Sequence, residues 1–412
     1  MQLAIFWSEI MHYHTARIAA LCQLAEAQKD TVYAFALRLG APDLPLPGYH
    51  ELLDNRISVL SNDSAKAGLN SALSQTQSTA FLSRNMPDVV AIAGYSTPVA
   101  LSILNWCRRH HRGAVLMSES QAGDYRRTSA KEWIKRRLIA SFDAALVGGS
   151  PHVAYALELG LPAERVFTGY DAVDNDFWAE WAARVYSDAV GWRRRLNLSE
   201  QFFVTASRLV PKKNVAGLLR AYAHYVQQTS TPAWPLLIVG DGPLRSQLEQ
   251  LAAQLNLQGL VRFTGYLAAN DMAPIYALAS AFILASSHSE QWGLVVNEAM
   301  AAGTPVLVSQ ICGSAADLVV DGETGFKFDP ASEEALVRLL VGCSEGRFDL
   351  KCMGHAAQQR VARFHPEVFA ENCFSAARAA IVHANDRQFA PWDRITLVTM
   401  LQLLRLTPAK LE

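Results

Sequence analysis

Short apolar runs alternate with longer stretches of helical spacing along most of the chain. Leu3–Phe6 is the first run, and Ile18, Leu21, Leu24 and Ala25 then recur at helical spacing over 14–28. Thr31–Leu37 and Arg56–Leu60 predict strands, and a Ser- and Ala-rich stretch over 65–84 predicts a helix. Pro87 stops that helix ahead of Val89–Ala93, whose unbroken apolar run fits a strand buried on both faces. Thr97–His110 predicts a helix, Ala114–Met117 a strand, and Ser129–Ala140 a basic amphipathic helix. Ala144–Val147 is a further strand, ending in Gly148 and Gly149.

Such alternation means βαβ units, parallel pairing and a doubly wound α/β fold. The pattern pauses over 171–200, which is helical and rich in Trp, Arg and Ala. It restarts at Phe202–Ser207 and continues through Pro235–Gly240, Val261–Thr264, Ala281–Ala285 and Pro305–Val308. From Pro366 onward the chain is helical in pattern, without strands. The expected organisation is two α/β domains over 1–190 and 191–375, then a helical segment over 376–412 that packs back on the first domain.

With 412 residues, half of them hydrophobic and 18% charged, the chain is long enough for two cores. No apolar run reaches the roughly 18–20 residues of a membrane helix, and the first eleven residues carry Glu9 but no basic leader. A net charge of −1 argues against a nucleic-acid partner. The six cysteines show no zinc-ligand spacing, and the histidines no HExxH, so no metal site is expected and the cytoplasm is the expected compartment.

Ligands of doubly wound sheets bind beyond the carboxyl ends of the strands. Arg208 and Lys213 follow the strand Phe202–Ser207 and can put two cations there. Gly240 and Gly242 follow the next strand and permit a tight turn or close backbone approach. After Ala281–Ala285 the chain runs through Glu290, Gly293, Leu294 and Val295 into a helix that carries Glu298. The start of that helix is a candidate anion site, with Gly293 letting a phosphate come close. A carboxylate beside phosphates suits neutral hydroxyls, so Glu298 fits a ribose diol and Glu290 a sugar hydroxyl.

Five segments in this order resemble the retaining glycosyltransferases of family 4. They are SRLVPKKN (207–214), LLIVGDGP (236–243), VRFTGY (261–266), EQWGLVVNEAMAAGTPVL (290–307) and DGETGF (321–326), with seven residues between Glu290 and Glu298. The resemblance implies the GT-B architecture, two Rossmann-like domains facing a central cleft, and a metal-independent, retaining reaction. Arg208 and Lys213 would hold the donor diphosphate, Glu298 the ribose, Glu290 the donor sugar, and the backbone after Gly293 the phosphates. Base recognition would fall near Phe263–Tyr266. The partners implied are a nucleotide-sugar donor and a hydroxyl acceptor, with no further cofactor.

The first half departs from that family. Ser8, Glu9, Ile10, Met11, His12, Tyr13 and His14 stand where many members carry a glycine-rich loop. Ser118, Glu119 and Ser120 stand where many carry a histidine. Glu119, Asp124 and His14 are the first-domain candidates for catalysis, against a helix-start role for His12 and His14. Asp174 and Asn175 read as turn formers. Residues 126–137 hold six cations against one Glu, and Trp133, Ile134 and Leu138 form a stripe. That segment, to residue 138, would suit either an ordinary helix packed on the sheet or one lying on the anionic inner face of the membrane, near a lipid-linked acceptor. Two other functions stay open on the sequence: a nucleotide-sugar epimerase or hydrolase, and a non-catalytic nucleotide-sugar binding protein. An oxidoreductase is disfavoured, because no GxGxxG follows the first strand.

Overall fold

The computed structural model describes residues 1–40, 57–60, 71–124, 127–386, 395–397 and 399–400. They form two compact units, one of residues 1–173 with 366–412 and one of residues 174–365.

The first unit is built on a seven-stranded sheet. Its strands are β1 (Gln2–Ile10), β2 (Thr31–Leu39), β3 (Ile57–Val59), β4 (Val89–Ala93), β5 (Gly113–Ser118), β6 (Ala144–Val147) and β7 (Val166–Phe167). The order is β3-β2-β1-β4-β5-β6-β7 and every pair is parallel. Alternation along β1 sends its side chains to two cores. Leu3, Ile5 and Trp7 pack with Ile18 and Leu21 of the helix His12–Gln28. Ala4 and Phe6 pack with Leu101, Leu104 and Cys107 of the helix Pro98–Arg109. The strand runs beyond the expected Phe6, through Ser8 and Glu9 to Ile10. Glu9 stands beside Arg38 on β2 and bonds it, which gives a charged residue a place in the ladder.

The helix Pro366–Asp386 belongs to this unit. Its Phe369, Cys373, Phe374, Ala377 and Ala380 are buried on the Leu3–Ile5–Trp7 face of the sheet. The chain therefore returns to the first unit at Pro366, ahead of the expected 376. Of the rest of the C-terminal segment, 387–394, 398 and 401–412 lie outside the described residues, as do Arg56, 65–70 and Arg126 of the segments predicted earlier.

The second unit carries β8 (Phe203–Ala206), β9 (Leu236–Val239), β10 (Val261–Gly265), β11 (Ala281–Leu284), β12 (Val306–Ser309) and β13 (Gly325–Phe328). The order is β10-β9-β8-β11-β12-β13, again parallel throughout. β8, β9, β11 and β12 are four-residue strands with every position buried, as unbroken apolar runs require. β7 and β13 are edge strands that the apolar pattern does not predict, one of two residues and one with a Lys at its third position.

This unit begins at Asp174 rather than 191 because the intervening helices pack within it. Asp174 caps the helix Asn175–Ser187 through Phe177 N–H at 3.0 Å. Trp178 meets the Tyr276 ring edge-on at 5.5 Å, and Asn175 donates to the Val361 carbonyl at 3.2 Å.

The returning helix should be structural. Phe369 is fully buried, so Phe369→Ala is expected to cost about 3–5 kcal/mol of stability. Denaturant unfolding followed by circular dichroism measures this, and a loss below about 1 kcal/mol would contradict that packing.

Candidate functional site

Parallel strands bring their carboxyl ends to one edge of the second sheet. The loops after β8, β9 and β11 therefore gather there. The first two are tied by backbone bonds: Leu209 N–H donates to the Asp241 carbonyl at 2.9 Å, and Leu244 N–H to the Leu209 carbonyl at 3.2 Å. Gly240 and Gly242 make this possible. A Cβ at Gly240 would lie 1.9 Å from the Ser207 carbonyl oxygen, and one at Gly242 2.6 Å from that of Leu209. Gly240 also has φ +128°, which an L side chain rarely adopts. Both glycines thus brace the loop that carries Arg208, which is exposed.

Lys213 ends a single 3-10 turn, Pro211–Lys213, ahead of the helix Val215–Gln228. That turn is fastened to the loop after β11, with Ser287 N–H on the Lys212 carbonyl at 2.8 Å and Lys212 Nζ on the Ser289 carbonyl at 3.3 Å. Lys213 Nζ then reaches Glu290 Oε2 at 2.5 Å, and Ser286 Oγ donates to the same oxygen at 2.6 Å. Glu290 is only 5% exposed. Burial alone would raise its pKa, but the charge and hydrogen bond of Lys213, aided by Ser286, outweigh it and hold the carboxyl below its ordinary value. Glu290 is therefore a buried carboxylate kept below its ordinary pKa chiefly by Lys213.

The segment after Glu290 is fixed from behind. Gly313 N–H donates to the Glu290 carbonyl at 3.1 Å, and Ser314 Oγ to the Trp292 carbonyl at 2.7 Å. Gly293 has φ +92°, and a Cβ there would meet Leu284 at 2.8 Å. The helix Val295–Ala301 is seven residues long, with Leu294 as its N-cap. Its first bonds run from Val296 N–H to Gly293 and from Glu298 N–H to Leu294, at 2.9 and 3.1 Å. The N–H groups of Leu294 and Val295 lie ahead of them. Glu298 is buried, and the Tyr276 hydroxyl donates to its Oε2 at 3.2 Å. Burial and then the Glu298 charge push the Tyr276 hydroxyl well above its ordinary pKa, so it stays a donor.

The structure thus joins Lys213 and Glu290 directly, and Gly293, Leu294 and Val295 follow Glu290 in the chain. Sequence reasoning missed Ser286 and Tyr276. Ser286 had a weak signal, a small polar residue at a strand's end. Tyr276 had none, being one aromatic in an apolar helix.

The first-unit candidates fare differently. Glu119 follows β5 and is half-buried. Asp124 accepts the Gln121 N–H at 2.9 Å and forms a turn. His14 Nδ1 accepts the Met11 N–H at 2.9 Å, its ring packs 4.8 Å from Trp7, and burial keeps it neutral. His14 thus stands at the start of its helix, the other role expected of it. In the basic helix Ser129–Ile139, Leu138 and Ile139 are buried and Ile134 half-buried, whereas Trp133 is 52% exposed beside Arg137. The expected single stripe is split, because Trp133 lies off the face that meets the sheet. Among the described residues no group of three His, Cys, Asp or Glu is arranged to hold a metal ion, and no helix is long and apolar enough to cross a membrane.

Residues 191–359 match the family model for glycosyl transferases group 1. That segment is similar to the group 1 glycosyltransferases. An exopolysaccharide phosphotransferase of Streptomyces coelicolor is 33% identical over 178 residues, 43% of this chain and 18% of its own length. The D-inositol 3-phosphate glycosyltransferase of Streptomyces avermitilis is 31% identical over 201 residues, 47% of this chain and 42% of its own. The chain thus matches less than half the length of each of these relatives. Among solved structures, Anabaena HepE in complex with UDP and glucose superimposes with a TM-score of 0.68 at 19% identity, over 91% of this chain and 98% of HepE. The fold is that of the GT-B glycosyltransferases.

The Lys213–Glu290 pair has a pH signature. Glu290 has a depressed pKa when folded, so its stabilisation is present above the ordinary 4.5 and is lost as pH falls through the lower folded value. Lys213→Met strands a buried carboxylate and should cost about 3 kcal/mol or more near pH 7. Thermal unfolding from pH 7 to 3 should show that gap narrowing as the stranded carboxylate takes up a proton, beginning above 4.5 because burial without Lys213 raises it, and adding Glu290→Gln should recover most of it. A pH-independent gap would contradict the ionised pair.

Proposed function

We propose that the chain is a retaining, metal-independent glycosyltransferase. It moves a sugar from a nucleotide diphosphate donor to a hydroxyl acceptor in polysaccharide or glycoconjugate synthesis. The observation that carries this is the buried Lys213–Glu290–Ser286 cluster immediately before the turn at Gly293, inside the group 1 segment. The second unit takes the donor and the first the acceptor.

Breaking the sugar–diphosphate bond builds negative charge on the leaving phosphate and positive charge on the sugar. Arg208, Lys213 and the N–H groups of Leu294 and Val295 meet the phosphate charge as it develops, already oriented, and so favour the transition state over the ground state. Lys213 serves the diphosphate while Glu290 accepts a hydroxyl of the donor sugar. Glu298, oriented by Tyr276, accepts from the ribose diol. Support for the donor class comes from HepE, solved with UDP and glucose, which makes UDP and UDP-glucose the first ligands to try.

A thermal-shift series of nucleotide diphosphates and their sugars, without added metal, tests this. A ligand at 100 times its Kd should add about 2.7 kcal/mol. With the responding donor, Lys213→Ala should lower kcat/KM by more than about 100-fold, and Glu298→Gln should weaken nucleotide binding by calorimetry. No shift with any ligand, or full activity in a folded Lys213→Ala variant, would defeat the assignment.

The acceptor side favours the inner membrane face. Exposed Trp133 stands with the exposed cations Lys131 and Arg136 on one helix, a pattern that suits an anionic lipid surface and a lipid-linked acceptor. The protein is expected to sediment with vesicles containing anionic lipid and not with zwitterionic ones. Trp133→Ala combined with Arg136→Ala should abolish this, and no binding to anionic vesicles would remove the membrane partner.

A further inference from the structure

The stretch of chain between Glu290 and Glu298 is closed by one side-chain hydrogen bond. Trp292 is 1% exposed and Asn297 is fully buried. The indole Nε1 of Trp292 donates to Asn297 Oδ1 at 2.8 Å. The bond crosses the turn at Gly293 and the start of the helix Val295–Ala301. Trp292 lies two residues after Glu290, and Asn297 one residue before Glu298. The loop that carries one carboxylate is thereby tied to the helix that carries the other.

Both ends of this clamp are anchored. Ser314 donates twice to the Trp292 carbonyl, from its N–H at 3.3 Å and its Oγ at 2.7 Å. The indole packs on Phe364, with ring centres 5.0 Å apart. On the helix side, Thr304 N–H donates to the Ala299 carbonyl at 2.9 Å, and Thr304 Oγ1 to the Tyr276 carbonyl at 2.6 Å. The Tyr276 hydroxyl in turn reaches Glu298.

Packing alone would not select asparagine at 297. It is a poor helix former, and Val296, Ala299, Met300 and Ala301, buried beside it on the same helix, are apolar. An apolar side chain there would avoid the cost of burying an amide. A seven-residue helix is too short to hold itself, and Gly293 ahead of it has the freest backbone of the segment. A buried indole N–H on a buried amide oxygen answers both weaknesses. Sliding the loop against the helix breaks that bond away from water, where a lost hydrogen bond costs most.

We propose that Trp292 and Asn297 are positioning residues for the donor: their bond fixes the spacing of the Glu290 and Glu298 carboxylates, so that both meet one nucleotide-sugar molecule. That the two carboxylates share a donor rests on the transferase function proposed above. The clamp between loop and helix rests on the geometry alone. A nucleotide diphosphate brings the ribose to Glu298 but no sugar to Glu290, whereas a nucleotide-sugar needs both at once. Loosening the spacing therefore costs the nucleotide-sugar more than the nucleotide.

Trp292→Phe keeps a ring on Phe364 and removes the N–H; Asn297→Leu removes the acceptor; the double variant removes both. In the ligand-free chain, amide hydrogen exchange over 292–298 should quicken by about tenfold or more in all three, with β8 and β9 unchanged. The ligand probes are UDP and UDP-glucose, or the nucleotide and nucleotide-sugar that respond in the thermal-shift series. In all three variants kcat/KM for the nucleotide-sugar should fall by about 10- to 100-fold, while the Kd of the nucleotide diphosphate by calorimetry changes by about threefold or less. Each single variant strands a buried polar group and should melt below the double, which strands neither. Donor use should not recover with that stability. Recovery of nucleotide-sugar turnover in the double variant, or equal losses for nucleotide and nucleotide-sugar, would overturn the positioning role. Unchanged exchange over 292–298 in Trp292→Phe would overturn the clamp. Quickened exchange in variants of a wild type that turns over no nucleotide-sugar would uphold the clamp and defeat the transferase function.

Discussion

A parallel strand buried on both faces has no side chain to offer solvent, and that constraint organises this protein. In β8, β9, β11 and β12 every residue is buried, so chemistry must wait until the strand ends. The loops there carry charge, but they are not slack. Gly240 and Gly242 let one loop press its backbone onto the next, and Gly293 lets the chain after Glu290 close on the Leu284 side chain. The glycines fix where Arg208 and Glu290 stand, instead of lending them freedom. A sheet edge becomes a site because the backbone there is packed nearly as closely as the core.

Two buried carboxylates in this chain solve the same problem in opposite ways. Glu290 keeps its charge, because Lys213 reaches it at 2.5 Å and Ser286 adds a hydrogen bond. Asp171 is pushed the other way: burial first, and then the Glu119 charge, hold its carboxyl above its ordinary value against the pull of Arg17 at 4.0 Å. Distance to the cation and the sign of the next neighbour separate two groups that burial pushes alike. The first arrangement suits a group that must meet hydroxyls beside phosphates.

Much of the fold was legible in the sequence because unbroken apolar runs such as Val89–Ala93 and Ala281–Leu284 have few other uses. β7 and β13 were not, since edge strands of two to four residues draw their order from a neighbour rather than from their own pattern. In the site, Lys213 and Glu290 were legible through spacing and flanking glycines. Tyr276 was not: it arrives from another helix, and nothing local to MAPIYAL marks a partner for Glu298. Arg17 and Asp171 lie far apart in the sequence and meet only through packing. The basic helix misled for the reverse reason. Charge and apolar spacing drew Trp133 and Leu138 as one stripe, but the sheet covers only Leu138.

The chain's return at Pro366 ties these threads together within the first unit. Phe369 is buried on the Trp7 face of β1, and the same ring stands over Arg17 and 6.3 Å from Tyr170. One aromatic side chain thus fills the core and walls off the charged cluster from water. That dry wall is what makes burial the largest influence on the Asp171 carboxyl, since water around it would leave the Arg17 charge to dominate. The helix that completes the first unit's core therefore also sets the dielectric around the Arg17–Asp171 pair.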